Sequence, residues 1–497
     1  MPTLLTKLAA YRPFTAMVVG DFMLDQEQFG AAERLSPDAP VPVLHHSHQV
    51  DRPGGAANVA LALRALDGIV RCVGVVGDDP AGRVLRETLA DAGCVIDGML
   101  TDASRPTTVK RSFVGLAQHR HPQKMFRVDV ESREPVSEAM VATLMNAVDL
   151  QLDGVDVVCL EDYAKGVCTT PLCQALIRRC RERGIPIIVD PAAIPSFQKY
   201  RGATAITPNR SEAELATGVD TPIDASAVHN AGLAAKLGRD LDLDAVVLTL
   251  DRHGALLEER GGEPVLVPTV ARSVYDVTGA GDIVLAALAA GRANGFTWLE
   301  AVQFANAAAG LEVEVFGAQP IPLAHVQRAV LVAQRELAGK VRSCDELLVE
   351  VAVHRAAGHR IVFTNGCFDV IHAGHVGYLR EARAQGDVLI VAVNGDEQVR
   401  AQKGAGRPVY ELADRLDILA ELQCVDYLVS FDEPTVATLL RSVRPDLYVK
   451  GGDYRPEEIN EQDVLADLGV EVRVLGHRPG LGSTQVIEQI NASRPPS

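Results

Sequence analysis

Along residues 1–320, short apolar runs alternate with amphipathic stretches. Residues 16–21, 70–76, 155–160, 186–190, 205–207 and 245–250 read as buried strands, and 81–92 and 171–183 as helices between them. This alternation predicts right-handed βαβ units around a mostly parallel sheet. Two further segments, 108–114 and 125–131, alternate apolar and polar positions more regularly and flank a polar turn at 119–124, which predicts an antiparallel flap. A helical stretch over 324–340 ends in the polar patch 340–345. The pattern therefore divides the chain into a first domain at 1–325, a helical linker at 326–345 and a second domain at 346–497. In the second domain the βα alternation restarts, with strands expected at 360–364, 387–393, 427–430, 447–449 and 471–475. Helices are expected there at 375–385, 412–422, 435–443 and 484–490.

Composition narrows the class. The chain has 497 residues, too many for one ordinary domain, and its 47% hydrophobic and 23% charged residues are those of a globular protein. A net charge of −17 excludes the broad basic field that nucleic-acid binding needs, so phosphate must be handled locally. No apolar run approaches the roughly 20 residues of a membrane span. Lys7, Arg12, Pro13 and Asp21 interrupt any leader-like apolar core. Nine cysteines, an odd count, suggest reduced thiols and a cytoplasmic location. Cys168, Cys173 and Cys180 do not have zinc-site spacing.

The first chemical constellation is Asp276-Val-Thr-Gly-Ala-Gly-Asp282, just before a long apolar helix. Glycines there let a ligand approach the backbone, and the free N–H groups of a helix start favour an anion. Gly279, Ala280 and Gly281 would form an anion hole, and Asp282 would take the proton of an attacking hydroxyl. On these seven residues alone, a glycine turn with Asp282 as a helix cap is an equal reading. Gly54-Gly55-Ala-Ala-Asn58 adds close backbone approach and a side-chain amide suited to sugar hydroxyls. Asp21 closes the first strand, at the carboxyl edge where α/β sheets bind ligands. Asn209-Arg210-Ser211-Glu212 could orient phosphate and Mg²⁺ through water, with an N-cap as the plainer alternative.

The second constellation is Phe363-Thr-Asn-Gly-Cys-Phe-Asp369 followed by Ile371-His-Ala-Gly-His375. His372 and His375 are three apart, so a helix presents them on one face. Two imidazoles at a helix start can donate to an α-phosphate and to departing pyrophosphate. A phosphate nucleophile is already ionised, so no protein base is required. A metal site lacks a third ligand of suitable spacing.

The first set resembles the ribokinase-like carbohydrate kinase family over about residues 1–320. Gly20-Asp-Phe-Met-Leu-Asp25, Asp162-Tyr-Ala-Lys-Gly166 and Thr207-Pro-Asn-Arg-Ser-Glu212 are similar to its branch that phosphorylates heptose 7-phosphate at O1. The resemblance implies a three-layer α/β domain with a small β lid, and Asp282 as base. It implies Asp21, Gly54, Gly55 and Asn58 at the sugar, and Asn209, Arg210, Ser211 and Glu212 near ATP and Mg²⁺. It leaves room for a monovalent cation at the kinase site, and the lid implies a homodimer contact. Lys110 and Arg127 on the flap are candidates for the sugar's own phosphate, or equally a solvated face. One departure stands out: where this branch has Asp-Pro-Lys, the chain has Asp190-Pro-Ala-Ala193.

The second set resembles the nucleotidyltransferases that share His-x-Gly-His, over about residues 358–492, and implies a Rossmann-like domain. Thr364, Asn365, Gly366, Lys403, Arg415, Lys450, Ser483 and Thr484 match positions where that family contacts nucleotide and phosphate. Thr364, Asn365, Gly366, Arg415 and Lys450 with its following glycines are similar to the branch that transfers AMP. The two domains in this order resemble the bifunctional heptose 7-phosphate kinase/heptose 1-phosphate adenylyltransferases, which use ATP and sugar phosphates to make ADP-heptose for lipopolysaccharide. Two alternatives stay open: a kinase of another sugar phosphate fused to a CTP-using transferase, and a kinase whose second domain only senses nucleotide.

Overall fold

The computed structural model describes residues 4–116, 122–269, 279–313, 319–333, 339–404, 406–452 and 459–475. They divide into two compact units, one spanning Tyr11–Ala333 and the other combining Met1–Ala10 with Gln334–Ser497.

In the first unit the strands run β1 (Phe14–Gly20), β2 (Phe22–Leu35), β3 (Pro42–Gly55), β4 (Gly68–Val76), β5 (Val95–Thr101), β6 (Thr108–Leu116) and β7 (Gln123–Val130). They continue with β8 (Val157–Glu161), β9 (Ile187–Asp190), β10 (Ala205–Ile206), β11 (Ala245–Thr249), β12 (Ala255–Glu259) and β13 (Val265–Val267). Among the described residues, nine form one sheet in the order β13-β12-β11-β10-β9-β8-β1-β4-β5. From β11 to β5 every pairing is parallel, while β12 and β13 add an antiparallel edge. Helices cover both faces, which is why the central strands are continuous apolar runs: every residue of β8 is buried, and Met17, Val18 and Val19 of β1 have no exposure. The parallel register brings Gly20, Glu161 and Asp190 side by side at one carboxyl edge.

The flap is larger than the pattern suggested. Strands β6 and β7 pair antiparallel as expected, but β2 and β3 join them in a four-stranded sheet ordered β3-β2-β6-β7. Half of β3 is exposed and only its last two residues are buried, so it lacks the apolar period that marks a strand. Of the expected turn at 119–124, residues 119–121 lie outside the described residues and 123–124 already belong to β7.

The second unit has five parallel strands: β14 (Ile361–Gly366), β15 (Val388–Asn394), β16 (Tyr427–Phe431), β17 (Leu447–Gly451) and β18 (Glu471–Leu475). Their order is β16-β15-β14-β17-β18. Chain direction switches sides at β14, so the crevice beyond Gly366 is where a doubly wound sheet binds its ligand. The helix expected at 484–490 lies outside the described residues.

The boundary region needs correction. The helix Leu323–Ala333 belongs to the first unit, and the patch read as part of a linker is built into the second. Arg342 donates its backbone N–H to Leu428 O at 2.8 Å, Leu428 returns one to Lys340 O at 2.9 Å, and Val341 forms a parallel bridge to Leu428. The Arg342 guanidinium lies 3.4 Å from Glu350 and 5.1 Å from the Tyr427 ring centroid, with the residue only 7% exposed. Ser343 then caps the helix Cys344–Ala356 with a reciprocal Glu346 bond. Charged residues here signal an edge pairing and a cap, not an exposed tether.

The first domain was also expected to start at residue 1, but the helix Leu4–Ala9 packs on Cys344–Ala356 in the second unit. Thr6 donates to Asp345 at 2.5 Å, and Leu4 and Leu8 are buried. No single cut therefore separates the units. Deleting residues 1–10 should destabilise the second unit by up to about 3–6 kcal/mol, the worth of two buried leucines. Two-transition calorimetry reads this directly: the second unit's melting falls and the first unit's stays. A shift of the first unit instead would overturn the assignment.

Candidate active sites

At the carboxyl edge of the first sheet, Gly279 takes φ 90° and starts the helix Ala280–Ala293. Asp282 lies in its first turn, 4% exposed, in the apolar run that buries this helix. Both of its carboxylate oxygens accept hydrogen bonds: Oδ2 from Asn58 Nδ2 at 2.7 Å and Oδ1 from the Tyr163 hydroxyl at 3.0 Å. Burial pushes Asp282 up to about 6, while these two donors and nearby Lys110 pull it down. A carboxylate at the positive end of a helix, poised near neutral pH, suits proton abstraction better than capping. Asp276 and Thr278 lie outside the described residues.

The other expected sugar ligands have these partners within the protein. Asp21, 2% exposed, accepts backbone N–H groups of Tyr163 at 2.8 Å, Lys165 at 3.0 Å and Val167 at 3.4 Å. It clamps the loop after β8 and has little left for a sugar. Asn58 directs its amide at Asp282. Gly55 takes φ 54° to open the next helix, and a side chain at Gly54 would meet Asp25 Oδ2 at 2.7 Å. Gly54 thus makes room for Asp25, which stands in the Gly20–Asp25 motif without an assigned role. Asp25 Oδ1 is buried with no hydrogen-bond partner among the described residues, and Lys110, Arg127 and Lys124 act on its charge. Its signal was a carboxylate on a strand facing a side-chain-free stretch of its neighbour.

Lys110 lies 4.5 Å from the Tyr163 ring centroid and acts on both Asp25 and Asp282. Arg127 is exposed and pairs with Asp129 at 2.8 Å. Asn209 and Glu212 form a capping box, Asn209 Oδ1 accepting from Glu212 N at 2.9 Å and Glu212 Oε2 from Asn209 N at 2.8 Å. The plainer reading of that motif therefore holds for its hydrogen bonds, although the Glu212 charge still reaches Asp190. Arg210 pairs with Asp251, and Ser211 is exposed.

Glu161, Asp190 and Asp282 bring carboxylate oxygens within 4.8 Å of one another. Burial and mutual repulsion hold Glu161 and Asp190 well above the usual carboxylate range. Glu161 Oε2 is buried and has no partner among the described residues. This set has the charge and the free oxygen that a divalent cation requires. Asp21, Asp162 and Cys168 are similarly close, but Asp21 is committed to amides and Asp162 to Lys199 and the Tyr200 hydroxyl. In the departing loop, Ala192 is buried and donates its N–H to Tyr200, whereas Ala193 is exposed.

In the second unit, His372 is the N-cap of the helix Ala373–Arg383, and its Nδ1 accepts from Gly374 N at 3.2 Å. The neutral ring therefore carries its proton on Nε2, free to donate. The two ring centroids lie 4.0 Å apart. Burial, with the charges of His372 and Lys403, pushes His375 down to about 4, and burial lowers His372 as well. Both are neutral donors at pH 7. Phe368 stands beside His375 at φ 47°, a strained backbone typical of functional loops.

The other nucleotide candidates divide. Lys403 is exposed at the end of the helix Asp396–Lys403 and acts on His375. Asn365 Oδ1 accepts from the Tyr448 hydroxyl at 2.6 Å and Lys450 at 3.1 Å, and Gly366 ends β14 at the crevice. Thr364 is fully buried and bonded to the Tyr378 hydroxyl at 2.6 Å. Arg415 is fully buried too, held by Asp396 at 2.8 Å, Tyr410 O at 3.1 Å and Cys367 O at 2.5 Å. Asp369, the last residue of the first motif segment, holds the chain at 407–409 through the Arg407 side chain and the Val409 N–H. Ser483 and Thr484 lie outside the described residues.

Comparisons with known proteins fit this division. Residues 15–324 match the pfkB family carbohydrate kinase model, and residues 363–489 the cytidylyltransferase-like model. The bifunctional protein HldE of Pelobacter propionicus is 40% identical over 479 residues, 96% of each chain. That of Ectopseudomonas mendocina is 43% identical over 485 residues, 97% of this chain and 98% of its own. In fold, the first unit is similar to Escherichia coli phosphofructokinase-2 in complex with substrates and products, with a TM-score of 0.54 at 18% identity. That match covers 65% of this chain and all of the other. It is also similar to Arabidopsis thaliana ribokinase complexed with ribose and ATP, with a TM-score of 0.51 at 21% identity, over 64% and 99%. With a pfkB-type kinase site and a His-x-Gly-His crevice each assembled in its own unit, and relatives matching across both, the chain belongs to the family of bifunctional HldE proteins and is a bifunctional enzyme, a carbohydrate kinase joined to a nucleotidyltransferase.

Proposed function

We propose that the first unit phosphorylates heptose 7-phosphate at O1 with ATP, and that the second transfers AMP from ATP to heptose 1-phosphate. The observation that supports this pairing is one chain carrying two helix starts of different chemistry, each suited to phosphate. One has a buried carboxylate at a helix start, and the other has two neutral imidazoles at a helix start.

In the kinase, Asp282 takes the O1 proton as O1 bonds to the γ-phosphorus and ADP departs. The amides of Gly279, Ala280 and Gly281 receive the charge that develops on the phosphoryl oxygens. Asp25 orients sugar hydroxyls. Mg²⁺ brought with ATP fits Glu161 and Asp190 and would neutralise phosphate charge there. A monovalent cation remains part of the proposal. In the transferase, a phosphate oxygen of the sugar attacks the α-phosphorus, and pyrophosphate leaves. His372 and His375 donate to the phosphates, and Lys403 supplies the cation. The second step takes a sugar with only the 1-phosphate, so a phosphatase must act between the two.

The nine cysteines are all free, which supports a reducing cytoplasm. No helix among the described residues is long and apolar enough to cross a membrane. On the lid, Phe126, Val128 and Val130 expose one face of β7, the face a second copy would cover in a homodimer.

Assaying purified protein with heptose 7-phosphate and with heptose 1-phosphate, each against four nucleoside triphosphates, tests the reading. ADP from the first sugar and pyrophosphate from ATP with the second are expected. Pyrophosphate release with CTP alone would replace the AMP assignment. The missing lysine gives a finer test. Ala192, directly after Pro191, is the alternative place for that lysine but is buried, whereas Ala193 is exposed, so Ala193→Lys should fold normally and lower the sugar-phosphate KM about two- to five-fold, the worth of an exposed ion pair. The KM for ATP should not move. An unchanged or higher sugar KM would assign that phosphate to another cation.

A further inference from the structure

We propose that Tyr163 is the positioning residue of the kinase base, held by a strained loop that also grips the lid. This rests on Asp282 being that base.

Three observations converge on Tyr163. Its hydroxyl donates to Asp282 Oδ1 at 3.0 Å, opposite the Asn58 bond to Oδ2. The carboxylate plane is therefore fixed from both sides, and rotation of the base away from the sugar would break a buried bond. Next, the loop is over-determined. Ala164, directly after Tyr163, sits at φ 54°, a conformation that costs a non-glycine residue of order 1 kcal/mol or more. Asp162 Oδ1 accepts from Ala164 N at 2.8 Å, and Asp21 accepts from the amides on both sides of it. Two buried carboxylates holding one strained turn make sense if the turn must aim the side chain before it. A side chain at Gly55 would lie 3.3 Å from the ring, so the glycine turn leaves the ring its space.

The same loop is tied to the lid twice. Lys110 of β6 stands over the Tyr163 ring, and Lys165 pairs with Glu131 just beyond β7. A lid that moves must carry Lys110 off the ring whose hydroxyl holds the base. Asp25, Glu161 and Asp190 also face Asp282, but none donates a hydrogen bond to it.

The test uses the full chain and steady-state kinase kinetics. Tyr163→Phe keeps the ring under Lys110 and removes only the hydroxyl. It should lower kcat about 10- to 100-fold, with both KM values within about three-fold, because misplacement of a catalytic group costs turnover and not binding. 3-Fluorotyrosine at position 163 keeps the donor and should restore kcat to within about three-fold of wild type. In an Asp282→Asn background, Tyr163→Phe should have no further effect on kcat, since Tyr163 acts through the base. A wild-type kcat in Tyr163→Phe, or an undiminished further loss in the double variant, would overturn the proposal. A raised sugar KM at unchanged kcat would make Tyr163 a substrate contact instead. If Tyr163→Phe fails to melt cooperatively, the ¹⁹F resonance of fluorotyrosine-163 decides. It should move on Asp282→Asn, and a static signal overturns the link. Full kcat in Asp282→Asn would sink the base assignment itself, whatever Tyr163→Phe does.

Discussion

Asp282→Asn should lower kinase turnover about 10²- to 10⁴-fold, the usual worth of a positioned base. The substitution keeps the shape but offers one acceptor where the aspartate offers two. Asn58 Nδ2 can still donate to the asparagine oxygen, and the Tyr163 hydroxyl, which donates to the aspartate, can turn to accept from the new NH₂ group. The first unit should therefore melt close to wild type, and its melting is measured beside the rate. The wild-type pH profile supplies an independent check. Burial pushes Asp282 up to about 6, so the base form dominates above that pH and is lost below it. The wild-type kcat should therefore fall as pH drops through about 6. The residual activity of Asp282→Asn, lacking a titrating base, should not show that limb. Turnover within a few-fold of wild type would reduce Asp282 to a helix cap.

The parts of this site visible in sequence were those where chemistry and local structure coincide. Asp282 follows two glycines at the start of an apolar helix, and that order alone suggests an anion hole with an acid beside it. The histidine pair was visible for a similar reason, although His372 turned out to cap the helix instead of lying within it. Strands of the second unit stood out because a parallel sheet covered on both faces needs unbroken apolar runs. What was hidden depends on tertiary direction. Asp21, between β1 and β2, and Asp25, on β2, sit four apart and look alike in sequence. One is turned into backbone amides and the other into the pocket. Arg415 looks like a surface arginine on the helix Leu412–Ala420, yet its guanidinium is fully buried on two carbonyls and Asp396. Six residues at the start of the chain carry too little pattern to reveal that their partner is a helix 340 residues later.

His375→Ala should suppress pyrophosphate release by at least about 10²- to 10³-fold, the cost of losing one preorganised donor to developing charge. His375 is the better choice of the pair. Replacing His372 also removes the acceptor for Gly374 N, and loss of that N-cap would cost about 1 kcal/mol and blur the reading. His375 Nδ1 has no partner among the described residues, so truncation leaves no broken bond there. The ring is pushed down to about 4 and is neutral throughout the physiological range. It contributes as a hydrogen-bond donor and not as a cation, so the lost activity should be independent of pH between about 6 and 8. A loss that grows as pH falls, or rescue by His375→Lys, would mean that charge is what matters. The same variant should phosphorylate the sugar phosphate at the wild-type rate within about two-fold, because Asp282, Asn58, Tyr163 and Gly279–Gly281 share no residue with the histidine crevice. A kinase that loses most of its turnover in His375→Ala, with both melting transitions unchanged, would contradict two self-sufficient sites.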